Sequence, residues 1–179
     1  MSTLQMLIAG FGGQGVLFLG KIVAYQGLIA DKQVSWLPSY GPEMRGGTAN
    51  CSIIISDTPV GSPIVANPDC LVAMNLPSLD KYESSVVSGG RIFVDSTLIT
   101  RKIARDDVNA FYIPATQMAK EEGIGTLANM IIVGHLLENH PELSFEGTEE
   151  VVEKLVPAKK AALKELNMKA LDMGKTYRA

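Results

Sequence analysis

The sequence predicts one α/β domain with three layers, in which helices cover both faces of a mostly parallel β-sheet. Short β-branched apolar segments alternate along the chain with longer segments whose apolar residues recur at helical spacing. This alternation is typical of parallel sheets, because a crossover between parallel strands needs a helix-length connection. The 179 residues contain no internal repeat and no linker-like tract. We therefore expect a single domain over 1–179, with a core of about 3–140 and C-terminal helices within 148–174.

The first half begins with a strand, a glycine turn and a helix, at 4–9, 10–15 and up to residue 30. Strands are then predicted at 33–37 and 51–56. Between them, the glycine- and proline-rich segment 38–48 is expected to form no regular element. After the strand at 51–56, an Asp-Thr-Pro turn and a short run to residue 65 predict a hairpin, and hence at least one antiparallel pair.

The second half alternates more regularly. Strands are predicted at 70–74, 91–95 and 110–113, and helices at 78–87, 116–122, 126–139, 148–156 and 157–173. In the last helix a proline marks the start, Gly174 marks the end, and one apolar stripe contains Leu163, Leu166, Ala170 and Met173.

Composition excludes several classes of protein. There are 16 basic and 19 acidic residues, a net charge of -3, so the basic excess typical of nucleic-acid binding is missing. No stretch approaches the about 18 uninterrupted apolar residues of a membrane span, and the first residues lack the basic and apolar regions of a secretory signal. Cys51 and Cys70 cannot supply the thiolates of an iron–sulfur cluster or a structural zinc site. We expect a cytoplasmic protein with no metal site of its own.

The glycine cluster between the first strand and helix is a candidate binding site, formed by Gly10, Gly12, Gly13, Gln14 and Gly15. Glycines permit positive φ and close backbone approach, and a helix N-terminus favours a phosphate or carboxylate. Tight packing without a ligand is the structural alternative. A dinucleotide site would also need an acid at the end of the second strand, but Ser35 to Pro38 stand there and Asp31 precedes the strand.

The segment 38–48 is a candidate interface, with Tyr40, Glu43, Met44 and Arg45 as its contact residues. Long loops inside compact domains are more often functional than idle. Glu43 could act as a general base and Arg45 as an anion clamp. No second carboxylate, histidine or cysteine nearby completes a catalytic set, so we favour contact with another chain and predict no catalytic residue.

Polar residues follow the later strands and outline a candidate cleft beside the glycine turn: Asn75, Asp95, Ser96 and Thr116. Helix capping and turn formation are alternative roles for such residues. His135 lies on an apolar helix and is interpreted as a hydrogen-bonded core histidine, whereas His140 marks a helix end.

Two long glycine-containing blocks carry a family resemblance. IAGFGGQGVLFLGKIVA and WLPSYGPEMRGGTANCSIIIS, followed by GSPIV, NLPSLDKY, IPATQMAKEEG and ANMIIVG, resemble the γ subunit of the 2-oxoacid:ferredoxin (acceptor) oxidoreductases. GFGGQG with MRGGTANCS resembles the 2-oxoglutarate branch, whereas the pyruvate branch more often opens H-G-R-G-G-Q-G.

The resemblance implies a subunit of a complex that oxidatively decarboxylates a 2-oxoacid with thiamine diphosphate, forms an acyl-CoA and reduces ferredoxin through [4Fe–4S] clusters. Thiamine diphosphate, Mg²⁺ and the clusters would belong to α and β subunits, with a ferredoxin-like δ subunit as a further candidate partner. This chain would support assembly and contribute to the CoA site through Gly10–Gly15. In isolation it could form a homodimer. The alternatives are a stand-alone dinucleotide-binding, Rossmann-like protein and a purely structural adaptor.

Overall fold

The computed structural model describes residues 2–39, 48–156 and 161–178. Its strands are β1 (Thr3–Phe11), β2 (Gln33–Ser39), β3 (Thr48–Ser56), β4 (Cys70–Ala73), β5 (Arg91–Asp95) and β6 (Asn109–Ile113). Its helices are α1 (Val16–Ile29), α2 (Leu76–Tyr82), α3 (Ala115–Glu121), α4 (Ala128–Asn139), α5 (Thr148–Leu155) and α6 (Ala161–Thr176), with 3₁₀ turns at Glu83–Ser85 and Gly125–Leu127.

The strands form one sheet in the order β2-β3-β1-β4-β5-β6. β1, β4, β5 and β6 run parallel, whereas β3 is antiparallel to both β1 and β2. The predicted α/β domain with a mostly parallel sheet and an antiparallel pair is confirmed. The predicted hairpin after β3 is wrong: residues 57–69 form no strand, because β1 and β2 already occupy both edges of β3.

Successive residues of a strand pack alternately against the helices on the two faces of the sheet. Met6 and Ile8 belong to the larger apolar cluster, formed with α1, α3, α4, α5 and α6. Leu7 and Leu71 belong to a smaller cluster under α2 and the segment that joins β5 to β6. This division follows from the two-residue period of a strand, which directs successive side chains to opposite faces.

The segment 38–48 contains more regular structure than predicted. Pro38 and Ser39 belong to β2 and Thr48 begins β3, because the antiparallel ladder continues to the pair of Ser39 with Asn50. Pro38 is compatible with this position because β2 is an edge strand of the described sheet. Residues 40–47 lie outside the described part of the chain.

The end predicted for the last helix is wrong. α6 continues past Gly174 to Thr176, and Gly174 packs against α4. A Cβ at Gly174 would stand 1.9 Å from the Ile131 carbonyl oxygen, and one at Gly134 would stand 2.0 Å from the Leu171 carbonyl oxygen. Glycine at these two positions therefore allows the backbones of α4 and α6 to touch.

The predicted apolar stripe on α6 is wrong in part. Ala170 is buried as predicted, but Leu166 is 39% exposed. Asn167 and Leu171 are buried in its place, because close contact with α4 selects the face that carries Gly174. The proline predicted to start this helix, Pro157, lies outside the described residues.

Candidate functional site

The carboxyl ends of β1 and β4 form a crevice in the sheet. These strands are parallel neighbours, but the helices that follow them lie on opposite faces, α1 in the larger cluster and α2 in the smaller. α1 leads toward β2 on one side of β1, and α2 leads to β5 on the other side of β4. Such a reversal is a topological switch point, the usual ligand position in open α/β sheets. The candidate turn Gly10–Gly15 lies at this point.

Two glycines of the turn require positive φ: Gly13 has φ 95° and Gly15, the N-cap of α1, has φ 77°. The left-handed region is costly for residues with a Cβ, so glycine is the residue that suits both positions. Gly10 is glycine for a different reason. A Cβ there would stand 2.7 Å from Gln14 Oε1 and 3.0 Å from Met74 Cβ.

The Gln14 side chain fastens the turn to the neighbouring strand. Its Oε1 accepts a hydrogen bond of 2.6 Å from the Phe11 N–H, and its Nε2 donates one of 2.9 Å to the Met74 carbonyl. Both polar ends of the amide are therefore engaged by backbone at the carboxyl ends of β1 and β4. Gln14 and Gly10 hold the turn in place, whereas Gly12 and Gly13 form its exposed tip.

Asn129 braces the same turn from the first turn of α4, and the sequence did not indicate it. The side chain is 4% exposed, and its Nδ2 donates a hydrogen bond of 3.3 Å to the Gly15 carbonyl. A Cβ at Gly15 would stand 2.4 Å from that nitrogen. The two residues are 114 positions apart, so no local pattern could have connected them.

The predicted cleft residues follow β4, β5 and β6 in spatial order, but most of their polar groups have structural partners. Asn75 caps α2, because its Oδ1 accepts a 2.8 Å hydrogen bond from the Ser78 N–H. Thr116 Oγ1 donates a 2.5 Å hydrogen bond to the fully buried Asp95. Ser96 is half-buried and donates its N–H to the Ile113 carbonyl. Among the described residues, the Asn75 Nδ2 has no hydrogen-bond partner.

The other candidates lie apart from this crevice. Tyr40, Glu43, Met44 and Arg45 fall outside the described residues. His135 packs edge-on against Phe93, Phe111 and Tyr177, and burial lowers its pKa. Burial also lowers the pKa of His140, to about 4. Residues 2–39, 48–156 and 161–178 contain no group of three or more His, Cys, Asp or Glu that could hold a metal ion, and their helices are too short or too polar to cross a bilayer.

The topology also bears on a dinucleotide site. In a Rossmann-type dinucleotide-binding fold, the Asp or Glu that binds the ribose follows the strand beside β1. Here the predicted second strand, β2, is separated from β1 by β3. The parallel neighbour of β1 is β4, which is followed by Met74 and Asn75 instead of an acid. A stand-alone dinucleotide-binding protein is not favoured.

Comparison with known proteins identifies the fold and its relatives. The family model described as pyruvate ferredoxin/flavodoxin oxidoreductase matches residues 5–177. The ketoisovalerate oxidoreductase subunit VorA of Methanothermobacter thermautotrophicus is 39% identical over 95% of this chain, which spans 35% of that relative's length. The 2-oxoglutarate synthase subunit KorC of Methanothermobacter marburgensis is 35% identical over 96% of this chain and 94% of its own.

Solved structures agree with these matches. The γ subunit of a keto/oxoacid ferredoxin oxidoreductase from Geobacter sulfurreducens superposes with a TM-score of 0.81 at 33% identity, covering 96% of each chain. The 2-oxoglutarate:ferredoxin oxidoreductase of Magnetococcus marinus has a TM-score of 0.86 at 24% identity over 31% of its chain, which shows the common fold. The resemblance carried by the glycine-containing blocks is confirmed. The chain belongs to the pyruvate ferredoxin/flavodoxin oxidoreductase family.

Proposed function

We propose that this chain is the γ component of an enzyme that converts a 2-oxoacid and CoA to acyl-CoA, CO2 and reduced ferredoxin. The 2-oxoacid loses its carboxylate as CO2, and the remaining acyl group forms a thioester with the CoA sulfur, whose proton is released. The pair of electrons set free reduces ferredoxin. The observation that carries this proposal is the match to γ-type chains over nearly their whole length, 94% for KorC and 96% for the Geobacter subunit.

The proposed substrate is 2-oxoglutarate, with succinyl-CoA as product. Several relatives are named 2-oxoglutarate synthase subunit KorC, and the GFGGQG and MRGGTANCS segments resemble that branch. The match to VorA at 39% identity makes ketoisovalerate the strongest competitor. Activity of the assembled complex with 2-oxoglutarate, ketoisovalerate and pyruvate, compared under the same conditions, tests the choice.

The proposed assembly places the redox cofactors on partner chains. A [4Fe–4S] cluster needs four thiolates, and the chain has two cysteines, which are buried on the separate strands β3 and β4. The clusters are therefore assigned to the α and β subunits. Thiamine diphosphate and Mg²⁺, which the resemblance implies for the complex, are assigned to the same subunits. A ferredoxin-like δ subunit is a further proposed partner, and ferredoxin is the proposed electron acceptor. A cytoplasmic location remains a prediction.

The glycine turn is the proposed contact for a phosphate group of CoA. The tip of the turn is exposed, and a Cβ at Gly13 would meet no atom within 4 Å, so an anion can approach the backbone closely there. The free N–H groups of the first turn of α1 favour negative charge. Asn75, Ser96 and Thr116 line the neighbouring strand ends. In this arrangement Gln14 and Gly15 hold the turn, and its backbone binds the anion.

Two matched alanine variants test the contact in the assembled complex. Gly13→Ala places a methyl group at the turn, whereas Gly89→Ala does so at a turn before β5, at the opposite end of the sheet. Both glycines have positive φ, 95° and 78°, and a Cβ added at either position would have no neighbouring atom within 4 Å. The two variants should therefore lose a similar amount of folding stability.

We expect at least tenfold weaker CoA binding by calorimetry for Gly13→Ala and unchanged binding for Gly89→Ala. Equal CoA affinity in the two variants would exclude the turn as a CoA contact. The function itself is tested by a tagged pull-down from anaerobic extract, assayed for CoA-dependent oxidation of 2-oxoglutarate. Recovery of this chain without larger subunits, iron–sulfur absorbance or activity would contradict it.

A further inference from the structure

The helix that follows the glycine turn begins without a capping side chain. Its N-cap is Gly15, whereas a Ser, Thr, Asp or Asn at this position would accept a hydrogen bond from an N–H of the first turn. Within the described part of the chain, the first N–H of α1 that reaches a backbone carbonyl is that of Leu19, which donates to Gly15 at 2.9 Å. The N–H groups of Val16, Leu17 and Phe18 precede it and have no described backbone partner.

Asn129 holds the start of α1 from the carbonyl side instead. Its Nδ2 donates a hydrogen bond of 3.3 Å to the Gly15 carbonyl, the same oxygen that accepts from Leu19. A Cβ at Gly15 would stand 2.4 Å from this nitrogen, so the Asn129 amide fills the space that the side chain of a capping residue would need. The helix start is therefore fixed by a side chain that uses none of its N–H donors.

The other end of the Asn129 amide confirms that the donors of the first turn are spared. Its Oδ1 is buried and has no hydrogen-bond partner among the described residues, so it accepts from no N–H group of α1. A buried acceptor without a partner lowers the stability of a fold. A residue that only packed α4 against α1 would not need such an atom, because leucine fills a similar volume without it. The amide is thus suited to hold the Gly15 carbonyl and to leave the N–H side of the turn open.

We propose that Asn129 is a positioning residue for the contact between the glycine turn and a phosphate group of CoA. The Gly15 carbonyl belongs to the first peptide unit of α1, and a peptide unit is a rigid plane. Fixing this carbonyl therefore fixes the direction in which the turn enters the helix. The Asn129 side chain is 4% exposed, so it acts through Gly15 and does not touch the ligand. The inference rests on the proposed function, because it takes CoA as the ligand of the turn.

Steady-state kinetics of the assembled oxidoreductase test this role. Asn129→Leu removes the donor at nearly constant size, so the KM for CoA should rise about tenfold, with kcat at saturating CoA and the KM for 2-oxoglutarate unchanged. Asn167→Leu is the matched control and should leave the KM for CoA unchanged. Asn167 is 3% exposed, donates its Nδ2 to the Leu163 carbonyl and has an Oδ1 without a described partner. It lies on α6, whose contacts with α4 run antiparallel, and therefore stands beside the opposite end of α4.

A second variant keeps the test decisive if Asn129→Leu does not assemble. Asn129→Asp preserves the shape, cannot donate and places a negative charge beside the turn. An acid in the first turn of α4 is favourable to that helix, so this variant should assemble, and its KM for CoA should rise further than in Asn129→Leu.

The alternative outcomes separate this inference from the proposed function. An unchanged KM for CoA in the assembled Asn129→Asp complex would overturn the inference and leave the proposed function standing. A lower kcat with an unchanged KM for CoA, a parallel rise in the KM for 2-oxoglutarate, or an equal effect of Asn167→Leu would show a structural role and would also overturn it. Absence of CoA-dependent activity in the complex with the unchanged chain would overturn both proposals.

Discussion

Replacing Gly15 by alanine measures how tightly the glycine turn is built into the domain. At φ 77° a residue with a Cβ costs about 1 kcal/mol. The new Cβ would also stand 2.4 Å from the Asn129 Nδ2 and 2.8 Å from its Cγ, and forcing this buried side chain to move costs about 2 kcal/mol more. We expect Gly15→Ala to lower the free energy of unfolding by about 3 kcal/mol.

Gly13→Ala is the matched control, because its φ is 95° and its Cβ would enter open space. It should cost about 1 kcal/mol. Urea unfolding of the isolated chain, followed by circular dichroism, gives both values by linear extrapolation. A double-mutant cycle with Asn129→Ala should return a coupling energy of about 2 kcal/mol, since the cycle isolates the pairwise contact. Equal destabilisation by the two glycine variants, or a coupling energy near zero, would refute the contact between Gly15 and Asn129.

Three further predictions concern stability and reactivity. Gly134→Ala and Gly174→Ala should each destabilise the chain by about 3 kcal/mol or more in urea unfolding, because the new methyl group would meet backbone atoms, which cannot move aside as a side chain can. A loss below about 1 kcal/mol would show that α4 and α6 separate easily. Burial lowers the pKa of His140 from 6.5 to about 4, so the neutral ring contributes fully to stability above pH 6.5, and up to about 3 kcal/mol of stability is lost as the pH falls through 4. The free energy of unfolding, measured against pH, should show this fall, and His140→Gln should make the fall smaller. Burial raises the pKa of the Cys51 thiol to about 12 and also raises that of the Cys70 thiol, so neither cysteine should react with a disulfide reagent in the folded chain, and both should react in urea. Labelling of either cysteine in the folded chain would contradict the buried positions.

Local patterns predicted most of the secondary structure. The strand at 91–95 coincides with β5 as observed, Arg91–Asp95, because a short β-branched run bounded by glycines and a turn allows few alternatives. The helix predicted from residue 78 begins at Leu76, since the Asn75 side chain caps it earlier than periodicity alone suggests. Errors such as this one, in the bounds of predicted helices and strands, lie at the ends of the elements.

The larger errors concern residues whose role depends on distant neighbours. Gly174 was predicted to end a helix, but it lies inside α6, because contact with α4 requires a residue without a side chain. The run after β3 was predicted to return as a hairpin, but β1 and β2 already pair with both edges of that strand. Intrinsic preference of a short segment cannot report which edges are already taken.

The candidate site also combines features that the local sequence predicted with contacts that depend on distant residues. The strand, glycine turn and helix around 10–15 are encoded locally, because positive φ at Gly13 and Gly15 and the apolar periods on either side depend on adjacent residues. The family follows from the same blocks of sequence. Only the tertiary structure decided that β4 lies beside β1, that Gln14 closes the gap between them and that Asn129 braces Gly15. These contacts join residues 60 and 114 positions apart, and they form because burial of the two apolar faces of the sheet selects one packing of the whole chain.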